Sequence, residues 1–324
     1  MMSTFESAAA PLPGYAIRAF EESDRAAVGA LGSPVVGWWH DEVEGASLHL
    51  VAEEFETGEI VGHLQARDRS VPKPSRRPGQ CHFMLTVSPN HRCKGIGSCL
   101  YDRLEAFARA RKADSLHGGY TETSDAPGAT FLRKRGFGVL ERFLPSYRDL
   151  ETFQPSEFQF ALDKLERQGI SIRSYAQVGD TSEHREQLYA LEEKARAAQP
   201  FREVNAYVPT PYSKWEAEFL RRDQTAILLA LAPVTEEYVG VVTSLEWGFT
   251  ATHPDWCGRG IATALKVRCL QEAKARGGSR LETENHEDNA AMLAVNRKLG
   301  FVFTTPEVSC VKTIDTSKEV KIAK

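Results

Sequence analysis

Hydrophobic positions along the chain fall into two near-copies of one pattern. Ile96, Leu100, Leu104 and Ala108 recur every four residues, and Ile261, Leu265, Cys269 and Ala273 repeat that spacing 165 positions later. Such an interval puts the side chains on one helix face, so the pattern predicts two amphipathic helices, each burying one stripe. Ahead of each helix, apolar and β-branched runs predict strands: Glu59 to Gln65 and Cys81 to Val87 in the first half, then Ala226 to Val234, Tyr238 to Leu245 and Gly248 to Thr252 in the second. Each half therefore reads as strands, a helix and further strands, an α/β class of mixed α+β character with helices flanking a sheet. Between the halves, Ser156 and Gln159 have capping-box spacing ahead of Phe158, Leu162 and Leu165, with Gly169 as a stop, which predicts a linking helix.

The duplication extends beyond the helices. Ile17-Arg18-Ala19-Phe20 matches Ile172-Arg173-Ser174-Tyr175 at an offset of 155, and Ile60-Val61-Gly62 matches Tyr238-Val239-Gly240 at 178. Gly95-Ile96-Gly97 matches Gly260-Ile261-Ala262 at 165, and Gly136-Phe137 matches Gly300-Phe301 at 164. Long-period self-similarity of this kind signals two copies of one domain, here 1–155 and 156–324, the second opening with the linking helix. The rise in offset places an insertion around Pro200 to Leu220, with Phe201, Tyr207, Tyr212 and Trp215. The later fall places a Pro-rich, basic loop at 65–80, which reads as a long hairpin connection.

Composition narrows the function classes. At 324 residues the chain is long enough for about two domains of roughly 150 residues each. With 42% apolar and 26% charged residues, either half is able to bury a core. Forty Lys and Arg against 44 Asp and Glu give a net charge of -4, without the basic excess of a general nucleic-acid binder. The six cysteines contain no Cys-x-x-Cys pair, so they read as reduced thiols of a cytoplasmic protein. The opening segment has no signal-peptide pattern, and the longest apolar run, Ala226 to Val234, is far short of the ~18 residues of a membrane span. His286, Glu287 and Asp288 are adjacent and do not converge on one ion, so no metal is expected. Trp38, Trp39 and His40 suit either aromatic packing or an acceptor site, and the basic runs at 109–112 and 133–135 read as solvated helix faces.

The chemistry is concentrated where strand meets helix. The strings VSPNHRCKGIGSCL and THPDWCGRGIATAL each lead from a strand through a Pro into a glycine turn and straight into the amphipathic helix. A helix start leaves backbone N–H groups unpaired and partly positive, and glycine lets that backbone approach an anion closely, so each turn is a candidate phosphate cradle. Neither turn has the Gly-Lys-Ser/Thr of a triphosphate loop or the third glycine of a dinucleotide fingerprint.

At these residues the chain resembles the GNAT superfamily of N-acetyltransferases in a tandem, two-copy form. That family's pyrophosphate signature is Arg or Gln, two residues, Gly, one residue, then Gly or Ala. Arg92, Gly95 and Gly97 satisfy it; the second copy keeps Gly260 and Ala262 but has Cys257 at the basic position, with Arg259 nearby as a substitute. Loss of that donor removes a charge-assisted hydrogen bond of about 1.5 to 3 kcal/mol. The resemblance implies two GNAT-like domains, each a splayed mixed sheet flanked by helices, and acetyl-coenzyme A as cofactor. Its implied contacts are Leu85, Val87, Arg92, Cys93, Lys94, Gly95, Ile96, Gly97 and Ser98 in the first copy. In the second they are Thr250, Thr252, Cys257, Gly258, Arg259, Gly260, Ile261, Ala262 and Thr263. Arg135-Gly136-Phe137 and Leu299-Gly300-Phe301 resemble the family's closing turn, and the second is preceded by Thr283, Asn285, Asn289, Met292 and Asn296. Asn285 and Asn289 suit either contact with the cofactor arm or helix capping.

Relatives often carry a Glu base on the splayed strand six residues before the position of Val87 and Thr252, which here is Cys81 in one copy and Glu246 in the other. Glu246 is therefore the candidate base, and an exposed hairpin acid is the plain alternative. Many relatives place a general-acid Tyr four residues before the closing Gly, where this chain has Leu132 and Asn296; Asn296 retains the capacity to hydrogen-bond the sulfur. The second copy is favoured for catalysis, with a small-molecule or peptide amine as acceptor and no nucleic-acid or membrane partner. A catalytically inert acyl-coenzyme A sensor or scaffold is the alternative. Two fused copies imitate a dimer, so a monomer or a homodimer is expected.

Overall fold

The structure is a computed structural model that describes residues 12–32, 46–68, 79–123, 126–199, 207–246 and 248–314. Trp38, Trp39, His40, Phe201 and most of the basic loop lie outside the described residues. By contacts the chain forms two compact units that interleave along the sequence. Unit 1 takes its residues from 1–120, 125–140 and 309–324, and unit 2 from 121–124 and 141–308.

Unit 1 runs β1 (Tyr15–Ala19), α1 (Arg25–Ala30), β2 (Ser47–Glu54), β3 (Ile60–Asp68), β4 (Gln80–Val87), α2 (Ile96–Ala110), β5 (Ser115–Thr121) and α3 (Pro127–Arg133). β1 to β4 form an antiparallel meander, and the chain's last strand, Glu307–Thr313, follows β5 in sheet order. The hairpin β3–β4 pairs Gly62 with Val87 at one end and Asp68 with Cys81 at the other, so residues 65–68 of the expected loop belong to the strand.

The join between β4 and β5 sets up the site. It is parallel and holds only from Gln80↔Ser115 to His82↔His117, after which the strands part. At the next step Phe83 is buried with its ring against Gly118, where any Cβ would lie 2.4 Å from that ring. The glycine leaves room for an aromatic wedge at the point where pairing stops.

Unit 2 contains the greater part of β6 (Gly138–Asp149), then α4 (Gln159–Glu166), β7 (Ser171–Ser174), α5 (Tyr175–Val178), α6 (Ser182–Ala197), α7 (Tyr212–Phe219), β8 (Leu228–Leu231), β9 (Tyr238–Val242), β10 (Thr250–Thr252), α8 (Ile261–Ala275), β11 (Arg280–His286), α9 (Ala290–Lys298) and β12 (Val302–Phe303). An antiparallel sheet of order β10-β9-β8-β7 carries a core on each face. Leu228, Ala230 and Val239 face α4 and α8, while Leu229, Leu231 and Val241 face Tyr175, Leu188, Trp215 and Phe219. This alternation is the period-2 signature of a strand buried on both faces. β11 and β12 pair antiparallel with β6 and not with β10, so the sheet of unit 2 is fully parted between β10 and β11.

Several expected boundaries shift for local reasons. The strand expected to reach Val234 ends at Leu231, because Pro233 follows and Val234 adopts φ 72° in the turn. The strands expected at Tyr238 to Leu245 and Gly248 to Thr252 shorten to β9 and β10, with an irregular connection between them. The linking helix is present as α4, but Ser156 does not cap it: Pro155–Phe158 forms a 3-10 turn and the helix begins at Gln159 without a side-chain cap. The second-half insertion contributes α7, whose Trp215 and Phe219 are buried. Among the described residues no helix is long and apolar enough to cross a membrane.

The repeated Val-Gly landmark is explained by helix packing. A Cβ on Gly62 would sit 3.0 Å from Ile96, and one on Gly240 would sit 2.6 Å from Ile261 and 2.9 Å from Leu265. In each unit a strand glycine lets the amphipathic helix lie close against the sheet. Gly240→Val should therefore overpack the contact and cost about 1 to 3 kcal/mol, read as a lower urea midpoint with unchanged slope. An unchanged midpoint would show that the helix has room to move.

Candidate functional site

The two glycine turns have the same backbone. Each opens with a 3-10 turn, Pro89–His91 or Pro254–Trp256, followed by an extended residue, Arg92 (φ -69°, ψ 160°) or Cys257 (φ -62°, ψ 155°). Left-handed residues follow in alternation, Cys93 (φ 61°) and Gly95 (φ 89°) in one unit, Gly258 (φ 78°) and Gly260 (φ 96°) in the other. The glycine at the last of these positions is the N-cap of α2 or α8, and neither cap makes a side-chain hydrogen bond. The amides of Ile96, Gly97 and Ser98, and those of Ile261, Ala262 and Thr263, thus begin their helices without side-chain partners at the cap. Alternating φ signs also turn successive N–H groups toward one concavity, the geometry of an anion nest. The Ile96 and Ile261 side chains are buried in their cores, so only their backbone faces the turn.

What covers the turns differs. In unit 1 Leu12 Cδ1 lies 2.9 Å from where a Gly95 Cβ would be, and the Phe131 ring lies 3.1 Å from that of Gly97. The Arg135 guanidinium stacks 3.6 Å over Phe131 and donates to Ser98 Oγ at 2.7 Å, while exposed Arg92 donates back to the Val87 carbonyl. Arg135, expected on a solvated helix face, instead packs against this turn. In unit 2 the nearest side chain to the Gly260 Cβ position is Lys164 of α4, with its Nζ 3.5 Å away. Lys164 puts a cation at the turn where Cys257 stands in place of the expected Arg or Gln. Gln168 Nε2 donates to the Arg259 carbonyl, and the Arg259 guanidinium lies 4.3 Å over the Trp256 ring.

The parted strands of unit 2 open a cleft lined by Ser244, Glu246, Gly248, Thr250, Lys266 and Thr283, with apolar walls that include Leu281 and Phe301. Thr252 pairs with Gly240 as Val87 pairs with Gly62, which puts β10 and β4 in the same register. Thr252 Oγ1 is buried and has no hydrogen-bond partner among the described residues. Glu246 is exposed on the β9–β10 connection rather than on a strand, and its amide accepts support from Ser244 by donating to Oγ. Gly248 is required there: a Cβ would lie 2.1 Å from the Ser244 carbonyl oxygen.

The remaining sequence candidates take several positions. Asn289 is the N-cap of α9 and accepts from the Met292 amide. Asn285 is not a cap; its carbonyl oxygen accepts from Asn296 Nδ2 at 2.7 Å. Asn296 is fully buried and stands outside the lining of the cleft. In unit 1 Leu132 is buried, Leu85 and Val87 are half-buried on β4, and Cys93 and Lys94 are exposed in the turn. Cys81 is buried, and burial pushes its thiol up to about 12. His286 Nδ1 accepts from the Asp288 amide. Sequence spacing gave no sign of Lys164, which acts across α4, or of Lys266, which sits on the helix stripe among apolar residues.

The Acetyltransferase (GNAT) family model matches residues 15–137 and again 188–301. The chain belongs to the GNAT acetyltransferase family. A GCN5-related N-acetyltransferase from Sphaerobacter thermophilus has a similar structure, with TM-score 0.71 and 18% identity over 94% of this chain and 97% of that one. A tandem GNAT protein from the clavulanic acid biosynthesis pathway matches with TM-score 0.63 and 18% identity over 94% of this chain and 99% of its own. At these identities the likeness is one of fold, and it spans both copies. No curated protein sequence matches the chain.

The difference between the turns has a measurable consequence. Coenzyme A titrated by calorimetry should register one site per chain, which Gly260→Asp removes and Gly95→Asp leaves. Lys164→Ala should weaken that site by roughly tenfold, the low end for a charge-assisted bond because the lysine is exposed. Loss of the site through Gly95→Asp would reverse the assignment of the turns.

Proposed function

We propose that the chain is an acetyl-coenzyme A-dependent N-acetyltransferase that acetylates a primary amine of a small molecule or peptide at the cleft of unit 2. The observation that carries this reading is a coincidence within one unit. The amide turn at Gly260, with Lys164 beside it, and the cleft bordered by Glu246 flank the same parted strand, β10. Acetyl-coenzyme A, consumed as co-substrate, supplies the activated acyl group.

The residues present suit that ligand. Main-chain amides of Ile261, Ala262 and Thr263, with Lys164 and Arg259 beside them, form a positive cradle for a pyrophosphate. The partnerless Thr252 hydroxyl and the unpaired edges of β10 and β11 offer hydrogen bonds to an amide-bearing arm laid between the strands. Glu246, exposed at the rim, takes the proton from the attacking amine directly or through one water. The first unit, with Leu12 and Phe131 over its turn, acts as a structural copy.

Release of coenzyme A across a panel of small amines and peptides tests the activity, and absence of turnover with tight coenzyme A binding would favour an inert acyl-coenzyme A sensor. With an active acceptor, Glu246→Gln should lower turnover by roughly a hundredfold, the usual scale for a general base, while coenzyme A affinity stays within about twofold. Wild-type turnover in this variant at every pH would remove Glu246 from the mechanism.

A further inference from the structure

Lys266 is the cationic group lining the cleft of unit 2, on the α8 face that opens between β10 and β11. It is 5% exposed, and its Nζ lies 4.8 Å from the centre of the Phe301 ring. Among the described residues no carboxylate pairs with it, although buried lysines are rare without a partner. Burial pushes its ammonium down to about 8, and the Cys269 thiol one turn away opposes that shift.

The same address in unit 1 carries another proton-bearing group. Tyr101 precedes Lys266 by the 165 residues that separate the glycine turns, and its ring meets Phe137 edge-on as Lys266 meets Phe301. There the hydroxyl is engaged, accepting from Lys312 Nζ at 2.9 Å. In unit 2 the group at this address lines the cleft. The positions where relatives carry a Tyr offer no such donor, since Leu132 is apolar and the Asn296 amide is committed to Asn285.

We propose that Lys266 is the proton donor to the departing coenzyme A sulfur, an assignment that rests on the acyl transfer proposed above. The amine nitrogen forms a bond to the thioester carbonyl carbon, the carbon–sulfur bond breaks, and the electron pair leaves on sulfur. The Lys266 ammonium gives its proton to that sulfur, releasing a thiol and leaving a neutral lysine amine. Glu246 accepts the proton shed by the attacking nitrogen, and exchange through water returns it to Lys266, so no other reactant is consumed. An ammonium near 8 is close to an ordinary thiol at about 8.5, which makes the transfer nearly thermoneutral. Among the described residues lining the cleft, the other titratable groups are Cys269 on α8, whose thiol burial pushes up to about 12, and Glu246 on the β9–β10 connection. β11 contributes uncharged Leu281 and Thr283. Turnover should therefore fall as pH rises through about 8 and the donor loses its proton.

The contact itself is tested without an acceptor. The thiol of bound coenzyme A is titrated by its ultraviolet thiolate absorbance, as a difference from the complex with desulfo-coenzyme A. In the wild-type protein it should titrate at least about one unit below free coenzyme A, because a neighbouring cation favours the thiolate. Lys266→Arg should keep the shift; Lys266→Met should abolish it while calorimetric affinity for coenzyme A is retained. With an active amine, Lys266→Met should also lose roughly a hundredfold in turnover and the alkaline fall in rate. A wild-type thiol that binds but titrates like free coenzyme A overturns the role of Lys266 and leaves the cleft reading standing. Failure of the wild-type protein to bind coenzyme A overturns both. Should Lys266→Met fail to fold, the wild-type titration alone decides.

Discussion

Unpaired amides at the head of a buried helix are the constraint around which each unit is arranged. Those donors serve an anion only if the chain reaches the helix through a tight left-handed turn, and only if the sheet beside the helix leaves space for what the anion carries. Cys93 and Gly95, like Gly258 and Gly260, provide the first condition. The parting of neighbouring strands provides the second. Close approach of helix to strand links the two, because Gly62 and Gly240 let α2 and α8 lie against the sheets that end in those turns.

Within that shared frame the copies have diverged by what fills it. Unit 1 keeps three residues of parallel pairing and wedges the rest with Phe83, while Leu12 and Phe131 lie against its turn glycines. Unit 2 has lost the pairing altogether and leaves polar groups along the gap: Ser244, Thr250, Thr283, Glu246 and Lys266. The copy with the better-preserved signature is the one whose turn glycines lie against apolar side chains. The copy with the altered signature recruits Lys164 from the linking helix instead.

The polar groups of unit 2 also illustrate how a site departs from the logic of a core. Lys266 occupies a position on α8 flanked by Leu265, Val267 and Leu270, all buried. An apolar residue there would satisfy the core better, and the lysine instead lines the cleft together with Thr250 and Thr283. Gly248 holds the connection so tightly against Ser244 that Glu246 stays at the rim.

Much of this was legible from spacing alone. Period-four apolar residues marked α2 and α8, repeated Gly-x-Gly/Ala strings marked where the turns lie, and landmarks recurring in the same order marked the duplication, because helix periodicity and turn chemistry are local properties. Lys266, Lys164 and Arg135 were not legible, since each acts on residues distant in sequence and looks like a helix-face lysine or arginine in its own segment. Nor did the string at 92–98 reveal that Leu12 and Phe131 lie on it. Packing alone decided which side chains lie beside each turn, where the strands part, and which proton-bearing groups line the gap, because these depend on side chains that only the folded chain brings within a few ångströms.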